Sequence, residues 1–385
     1  MSRTKTRGLL SLIALLMGLS LANVSPAMAQ PVDPSTPGAI PVATPTPWAP
    51  RQLTATLGGS GATFPNPLYQ AWIQVYKQNV PNVTISYQGV GSGAGTRNFI
   101  GYLSDFGGTD AFVSSKRVAA EAPDTLHVPM VLGAVVPTYN LTGTDGKNIT
   151  SLRFNAEILA GIYLGAIRFW DDGRIAKANP DVTTLPNKAV TPVYRSDSSG
   201  TTNIWTDYLT KVSPDWKATV GAGTTVRWPA GIGAPGNPGV ASAVLRTDGA
   251  IGYVELIFAL ANGLPAPAVQ NAAGAYVSAT TASVLEAAAN APISADLTGS
   301  ITNPPGEGSY PVAGFTWILV RQNTYTDATK AQALADFLYW GLTDGSGAVT
   351  RLGYVPLPQS VRYAAIGQLR KITVDGQPVF EGLVK

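Results

Sequence analysis

The sequence of 385 residues contains no cysteine and a single histidine, His127. Without cysteine we expect no disulfide, no thiolate metal site, no cysteine nucleophile and no lipid-bearing cysteine. A chain with one histidine offers few ligands for a zinc site and a single candidate base for a Ser–His nucleophile pair. His127 lies in a short apolar segment, Leu126 to Pro129, which favours a structural role. We therefore predict a protein that is not an enzyme and that holds no metal or cofactor.

Long apolar runs are also scarce, and the longest one lies near the N-terminus. Leu9 to Ala22 spans 14 residues, whereas a transmembrane helix needs about 20. Three basic residues precede this run and Ala27-Met28-Ala29 follows it, which together are typical of a secretory signal peptide. We predict a signal peptide over residues 1 to 29 and an exported, soluble protein in the periplasm or the extracellular space.

Charged residues make up only 13% of the chain, with 26 Lys and Arg against 23 Asp and Glu. Three basic and no acidic residues fall in the predicted signal peptide, so the remainder carries equal numbers of both. A nucleic-acid partner requires a basic footprint. We therefore expect no nucleic-acid partner, and we expect a monomer.

Several motifs of nucleotide and ester chemistry are missing. The pair Gly146-Lys147 is followed by Asn148, which excludes a nucleotide phosphate loop, and no serine has glycine two residues away on both sides. The glycine-rich turn Gly89 to Gly95 fits a dinucleotide motif only in the variant that ends in alanine, and this weak alternative stays open. The acidic doublet Asp171-Asp172 is more typical of a turn than of a calcium site.

Seven prolines occupy residues 31 to 50, separated by small and hydroxyl residues. Such a composition favours an extended segment without a core. We predict a linker over residues 30 to 51, which serves either as a tether or simply as a leader.

From Leu53 onward a unit of strand, small-residue turn and amphipathic helix recurs, which is typical of an α/β fold. The strands are predicted over Leu53 to Leu57, Val83 to Tyr87 and Val190 to Tyr194. The apolar faces of the helices that follow are listed in order: Leu68, Trp72, Val75 and Tyr76; Phe99, Ile100 and Leu103; Ile204, Trp205, Tyr208 and Leu209.

The turns of these three units have the character of anion sites. A helix start exposes unpaired backbone N–H groups at the positive end of the helix dipole. The turns also carry hydroxyl residues, namely Thr63, Ser92, and Ser199 with Thr201. Serine and threonine are also good helix caps, so a purely structural role stays open for each turn taken alone.

Eight motifs in series resemble the periplasmic phosphate-binding proteins of ABC transporters, and the resemblance covers residues 52 to 365. The motifs are Leu57 to Pro65, Tyr87 to Gly93, Asp105 to Asp110, Ile162 to Gly165, Phe169 to Asp172, Arg195 to Thr201, Arg227 to Pro229 and Gly249 to Glu255. Gly93 and Ser198 depart from the pattern, since many relatives have serine and glycine there, respectively.

The resemblance implies a two-lobed, type II periplasmic binding fold with a central ligand cleft and two crossings between the lobes. We place the crossings near Gly133 and Gly314. Lobe 1 is then residues 52 to 132 with 314 to 385, and lobe 2 is residues 133 to 313.

The resemblance also implies the ligand contacts. They fall on Thr63, Phe64 through its backbone N–H, Ser92, Asp110, Arg195, Ser199, Gly200 and Thr201. Arg195 supplies a fork of charged donors for an oxyanion, and Asp197 is expected to hold that guanidinium, although a turn or cap role stays open. A carboxylate at Asp110 tolerates an anion only if the anion brings a proton to share, as hydrogen phosphate does and sulfate does not. Without the resemblance, Asp110 could equally cap the segment that follows it.

These features predict capture of inorganic phosphate and its delivery to the membrane permease of an ABC-type importer. Three alternatives stay open. The chain could bind another oxyanion, act as a secreted phosphatase, or scavenge phosphate or adhere outside the cell without a transporter.

Overall fold

The computed structural model describes residues 46–380, so the predicted signal peptide and most of the predicted linker lie outside the described residues. The strands are β1 (Ala55–Gly61), β2 (Val83–Gly89), β3 (Phe106–Thr109), β4 (Thr125–Asn140), β5 (Thr191–Arg195), β6 (Ile232–Ala234), β7 (Ala250–Glu255), β8 (Val269–Gln270), β9 (Tyr276–Val277), β10 (Ala313–Arg321), β11 (Thr373–Val374) and β12 (Gln377–Pro378).

Helices alternate with these strands along much of the chain, and this confirms the predicted α/β class. They are α1 (Asn66–Asn79), α2 (Ser92–Ile100), α3 (Ser115–Glu121), α4 (Ala156–Tyr163), α5 (Gly173–Ala178), α6 (Gly200–Val212), α7 (Pro214–Thr219), α8 (Gly236–Arg246), α9 (Leu256–Ala261), α10 (Thr281–Ala289), α11 (Ala328–Leu342), α12 (Ser346–Arg351) and α13 (Gln359–Leu369). Within residues 46–380, none of the helices has the length and apolar character needed to cross a membrane.

One large sheet organises the fold, with strand order β2-β1-β3-β10-β4-β7-β5-β6. The strands β2, β1 and β3 form a parallel block at one end, and β7, β5 and β6 form a second parallel block at the other. Between the blocks run β4 and β10, which are antiparallel to each other and to their outer neighbours. Both central strands are buried along nearly all their length, which explains their apolar sequences.

Two glycines face each other where β4 and β10 pair, Gly133 opposite Gly314. A Cβ atom on Gly133 would lie 2.5 Å from a ring carbon of Phe64, and one on Gly314 would lie 2.3 Å from Cδ1 of Ile204. Larger residues are therefore excluded, because side chains from the β1–α1 turn and from α6 press directly against the central strands at this level.

The amphipathic patterns predict the helices well, with two local differences. On α1, Leu68, Trp72 and Tyr76 are buried, but Val75 is 41% exposed and Tyr69 takes the buried position beside Leu68. The helix α2 ends at Ile100, because Tyr102 adopts the left-handed backbone conformation, with a φ of 58°. The prediction for Leu103 is wrong: it lies beyond the helix and is 80% exposed.

The residues just before β1 pack onto the fold. We call residues 46–51 the docking segment. The indole N–H of Trp48 donates to Oδ2 of Asp336 on α11 at 3.1 Å, and Arg51 pairs with Oδ1 of the same carboxylate at 3.2 Å. Tyr76 of α1 donates to Oδ2 at 2.7 Å, so a fully buried carboxylate holds the segment against two helices.

Candidate ligand-binding site

The starts of α2 and α6 lie next to each other and are joined by hydrogen bonds. The backbone N–H of Gly200, the first residue of α6, donates to Ser92 Oγ at the start of α2 at 3.0 Å. A second bond joins the same turns, from Gly93 N–H to the carbonyl of Ser198 at 3.0 Å. Both helices thus direct their positive ends toward one small region.

Arg195 ends β5 and points its guanidinium into this region while remaining 4% exposed. Its Nε and Nη2 atoms bind Oδ1 and Oδ2 of Asp197 at 2.8 and 2.5 Å, and Nη1 donates to Thr201 Oγ1 at 3.2 Å. Burial works against ionisation of Asp197, but the hydrogen bonds and the charge of Arg195, together with backbone N–H groups such as that of Gly236, lower the pKa of this carboxyl overall. The geometry gives Asp197 the holding position that the sequence suggests.

Asp110 directly follows β3 and is 3% exposed. Its Oδ1 accepts the Thr316 hydroxyl of β10 at 2.8 Å, and its Oδ2 lies 3.4 Å from Ser92 Oγ. Burial raises the pKa of Asp110 to about 7. A Cβ on Gly200 would lie 2.6 Å from the Asp110 side chain, so only glycine allows α6 to begin this close to the carboxyl group.

Thr63 and Phe64 lie in the turn between β1 and α1 and are buried. The Phe64 carbonyl accepts the Tyr354 hydroxyl at 2.6 Å, which anchors this turn. Ser199 caps α6, since its Oγ accepts from Thr202 N–H at 3.0 Å. The cap role considered from sequence is therefore real for Ser199.

A residue that sequence reasoning missed lies at the centre of the cluster. Asn237, the second residue of α8, is fully buried. Its Nδ2 donates to Thr63 Oγ1 at 3.0 Å and to Thr201 Oγ1 at 3.1 Å. In the sequence, Pro235-Gly236-Asn237-Pro238 has the composition of a turn, so no signal pointed to a site.

The other polar residues considered from sequence lie elsewhere. The Nε2 atom of His127, on β4, accepts from Val113 N–H at 3.1 Å, and burial lowers the pKa of its ring to about 4. Asp172 caps α5 and pairs with Arg174 at 2.8 Å. In the part of the chain that the structure describes, no three acidic or histidine side chains gather as a metal site would require.

The two departures from the family motifs face each other. A Cβ on Gly93 would lie 2.1 Å from Ser198 Oγ, whose hydroxyl instead donates to Thr224 Oγ1 at 3.0 Å. A side chain at one position therefore requires a glycine at the other. The two departures from the family motifs therefore compensate each other: the side chain is lost at position 93 and gained at position 198 in the facing turn.

In chemical terms, the cluster gathers the guanidinium of Arg195, which is paired with Asp197, two facing helix starts and several hydroxyl groups around the carboxyl group of Asp110. The donors suit an oxyanion, since charge-assisted bonds and N–H groups can take up its oxygens. The carboxyl group of Asp110 adds one acceptor. The sequence-predicted residues are thus brought together on neighbouring turns.

Comparisons with known proteins show which family the chain resembles. Residues 44–344 match the model of the PBP superfamily domain. The chain is 40% identical over 310 residues to the phosphate-binding protein PstS of Pasteurella multocida, covering 80% of this chain and 87% of the relative. It is 37% identical over 349 residues to PstS of Methanocaldococcus jannaschii, covering 84% of this chain and 87% of the relative.

Solved structures also resemble the chain. A high-affinity periplasmic phosphate-binding protein, PfluDING, bound with phosphate, matches with a TM-score of 0.64 and 25% identity over 80% of this chain and 92% of its own. A phosphate-binding protein from Stenotrophomonas maltophilia matches with a TM-score of 0.62 and 21% identity over 82% of this chain and 94% of its own. The predicted two-lobed binding-protein fold is confirmed.

Proposed function

Since the chain belongs to the PstS family of phosphate-binding proteins within the PBP superfamily, we propose that it captures inorganic phosphate and delivers it to an ABC-type importer. The observation that carries this proposal is the convergence of Arg195, Asp110 and the facing starts of α2 and α6. The relatives are named as binding proteins, and the function proposed here involves no catalysis.

Phosphate would be held by the residues that the family motifs indicate. These are Thr63, Phe64 through its N–H, Ser92, Asp110, Arg195, Ser199, Gly200 and Thr201, with Asp197 holding the guanidinium. A buried dianion must be heavily hydrogen-bonded, because leaving it desolvated and unpaired is prohibitive. The guanidinium supplies the one full positive charge, and the backbone N–H and hydroxyl groups supply donors without further charge.

Asp110 would select phosphate over sulfate. Hydrogen phosphate carries an O–H that can donate to the carboxylate, whereas sulfate would set an unprotonated oxygen against it. A site built to accept such a bond rejects the analogue that lacks it by ~10⁴ to 10⁵. Arsenate carries the same proton and would bind.

We place the hinge at the paired glycines of β4 and β10. The lobes would be residues 52–132 with 314–385 and residues 133–313, and the parallel blocks on either side of these strands support that division. Hydrogen bonds from Gly200 to Ser92 and from Asn237 to Thr63 then join the two lobes, as expected of a closed cleft.

Adding phosphate should reduce the radius of gyration in solution scattering, while an equal concentration of sulfate should not. An unchanged profile with phosphate would argue against hinge closure.

The site of action would be the periplasm or the extracellular space, with the permease subunits of the importer as partners. The protein would act as a monomer without nucleic acid. The predicted signal peptide supports export.

Isothermal titration of the purified protein with phosphate, arsenate and sulfate tests the proposed function. We expect strong binding of phosphate and arsenate and at least 10³-fold weaker binding of sulfate. Tighter binding of sulfate would support the alternative of a different oxyanion. Hydrolysis of a chromogenic phosphate ester would instead support a phosphatase.

A further inference from the structure

Asn237 is held in one orientation by the end of β7. The backbone N–H of Glu255 donates to Asn237 Oδ1 at 2.9 Å. A backbone N–H can only donate, so the amide oxygen must lie on that side and the NH₂ group must face the cluster. The amide is thereby aimed at the two threonine hydroxyls.

The first of these hydroxyls belongs to Thr63. Its Oγ1 accepts two hydrogen bonds, from Asn237 N–H at 3.2 Å and from Asn237 Nδ2 at 3.0 Å. A hydroxyl oxygen has two lone pairs and one hydrogen. With both lone pairs occupied, Thr63 can only donate through its hydrogen, and no described residue accepts it.

The second hydroxyl, on Thr201, is in the same position. Its Oγ1 accepts from Arg195 Nη1 at 3.2 Å and from Asn237 Nδ2 at 3.1 Å. Its hydrogen is likewise directed away from these two donors. The Asn237 amide thus binds two hydroxyl groups, one from each side of the predicted cleft, and occupies one lone pair on each.

We infer that Asn237 is a positioning residue for the ligand: it turns the Thr63 and Thr201 hydroxyls into obligate donors, ready to bind the oxygens of phosphate. This inference rests on the proposed function. It also explains why a fully buried asparagine is placed between two threonines, where an acceptor side chain would draw their hydrogens inward. The Ser92 hydroxyl is oriented without Asn237, since its Oγ accepts from the backbone N–H groups of Asp110 and Gly200 at 3.2 and 3.0 Å.

A double-mutant cycle tests the inference by titration calorimetry with inorganic phosphate. In the wild-type background, Thr63→Val removes the donor and should weaken binding roughly tenfold to hundredfold. Asn237→Asp preserves size but replaces the NH₂ group by an oxygen that accepts the Thr63 hydrogen. In that background, Thr63→Val should change the dissociation constant less than about threefold. An equal cost of Thr63→Val in both backgrounds would overturn the inference.

Two further proteins complete the design. Asn237→Ala removes the amide without adding charge, and it should weaken phosphate binding at least about tenfold. A folded Asn237→Ala variant that keeps its affinity within twofold would also overturn the inference. Asn271→Ala is the matched control, because that buried amide donates only to backbone carbonyls of the chain and should affect stability alone. If the wild-type protein itself binds no phosphate, the proposed function fails instead.

Discussion

Replacing Asp110 by asparagine should turn the hydrogen-bond acceptor that faces the ligand into a donor. In the structure, Oδ1 is occupied by the Thr316 hydroxyl at 2.8 Å, whereas Oδ2 has only a long contact of 3.4 Å to Ser92. In Asp110→Asn the remaining oxygen should keep the Thr316 bond. The new NH₂ group then takes the place of Oδ2 and presents a donor to the ligand.

The magnitude follows from the bonds lost and gained. Phosphate loses a hydrogen bond to a charged acceptor, a loss of about 1.5–3 kcal/mol, or roughly tenfold to 150-fold in affinity. Sulfate loses a repulsive acceptor and gains a donor. The phosphate-to-sulfate affinity ratio should therefore fall by at least about 10², out of a wild-type ratio of ~10⁴ to 10⁵.

The assay is calorimetric titration of both anions at pH 8.5, where Asp110 is ionised because its pKa is about 7. Asp172→Asn is the matched control, since that carboxylate caps α5 and pairs with Arg174 instead of joining the cluster. An Asp110→Asn protein with an unchanged or larger affinity ratio would refute the assigned role of this residue.

Three other changes test the remaining parts of the site. Arg195→Ala breaks a buried charge pair and should weaken phosphate binding by ~10² or more. The control Arg174→Ala should leave phosphate binding unchanged. A near-native dissociation constant for phosphate in Arg195→Ala would remove Arg195 from the site. Below pH 7 Asp110 takes up a proton and can donate it to an anion, so the affinity for sulfate should rise as the pH falls from 8.5 to 5.5. A sulfate affinity that does not change with pH over this range would contradict the prediction. Gly93→Ser should hinder closure and weaken phosphate binding, since its Cβ would lie 2.1 Å from Ser198 Oγ. The added change Ser198→Gly should restore affinity, and failure of this rescue would exclude a steric cause.

Local patterns predicted much of the architecture because they are set by neighbouring residues. The alternation and helical periodicity around Trp72 and Trp205 reflect burial on one face, and both side chains are fully buried. The motif Asp105 to Asp110 marked Asp110 as a candidate ligand contact, and the structure has this residue directly after β3. Such features depend on little beyond the strand–turn–helix unit itself.

Other features depend on contacts distant in sequence, and these escaped prediction. Asn237 acts on Thr63, 174 residues away, and its surroundings in sequence are those of a turn. Trp48 lies in a proline-rich stretch without periodicity, yet it binds Asp336, 288 residues away. The early end of α2, which leaves Leu103 exposed, follows from the backbone angle of Tyr102 and not from the apolar pattern.

The docking segment sets a limit on how far the proline-rich leader can be trimmed by proteases. A cut upstream of Thr46 leaves Trp48 and Arg51 on Asp336. A cut after Arg51 removes both and leaves Tyr76 as the one described side chain that still binds a fully buried carboxylate. Since Asp336 would lose its ion pair with the partly exposed Arg51 and its hydrogen bond from Trp48, a form shortened to this point would be less stable. The stability of a processed form therefore depends on whether the cut spares this anchor.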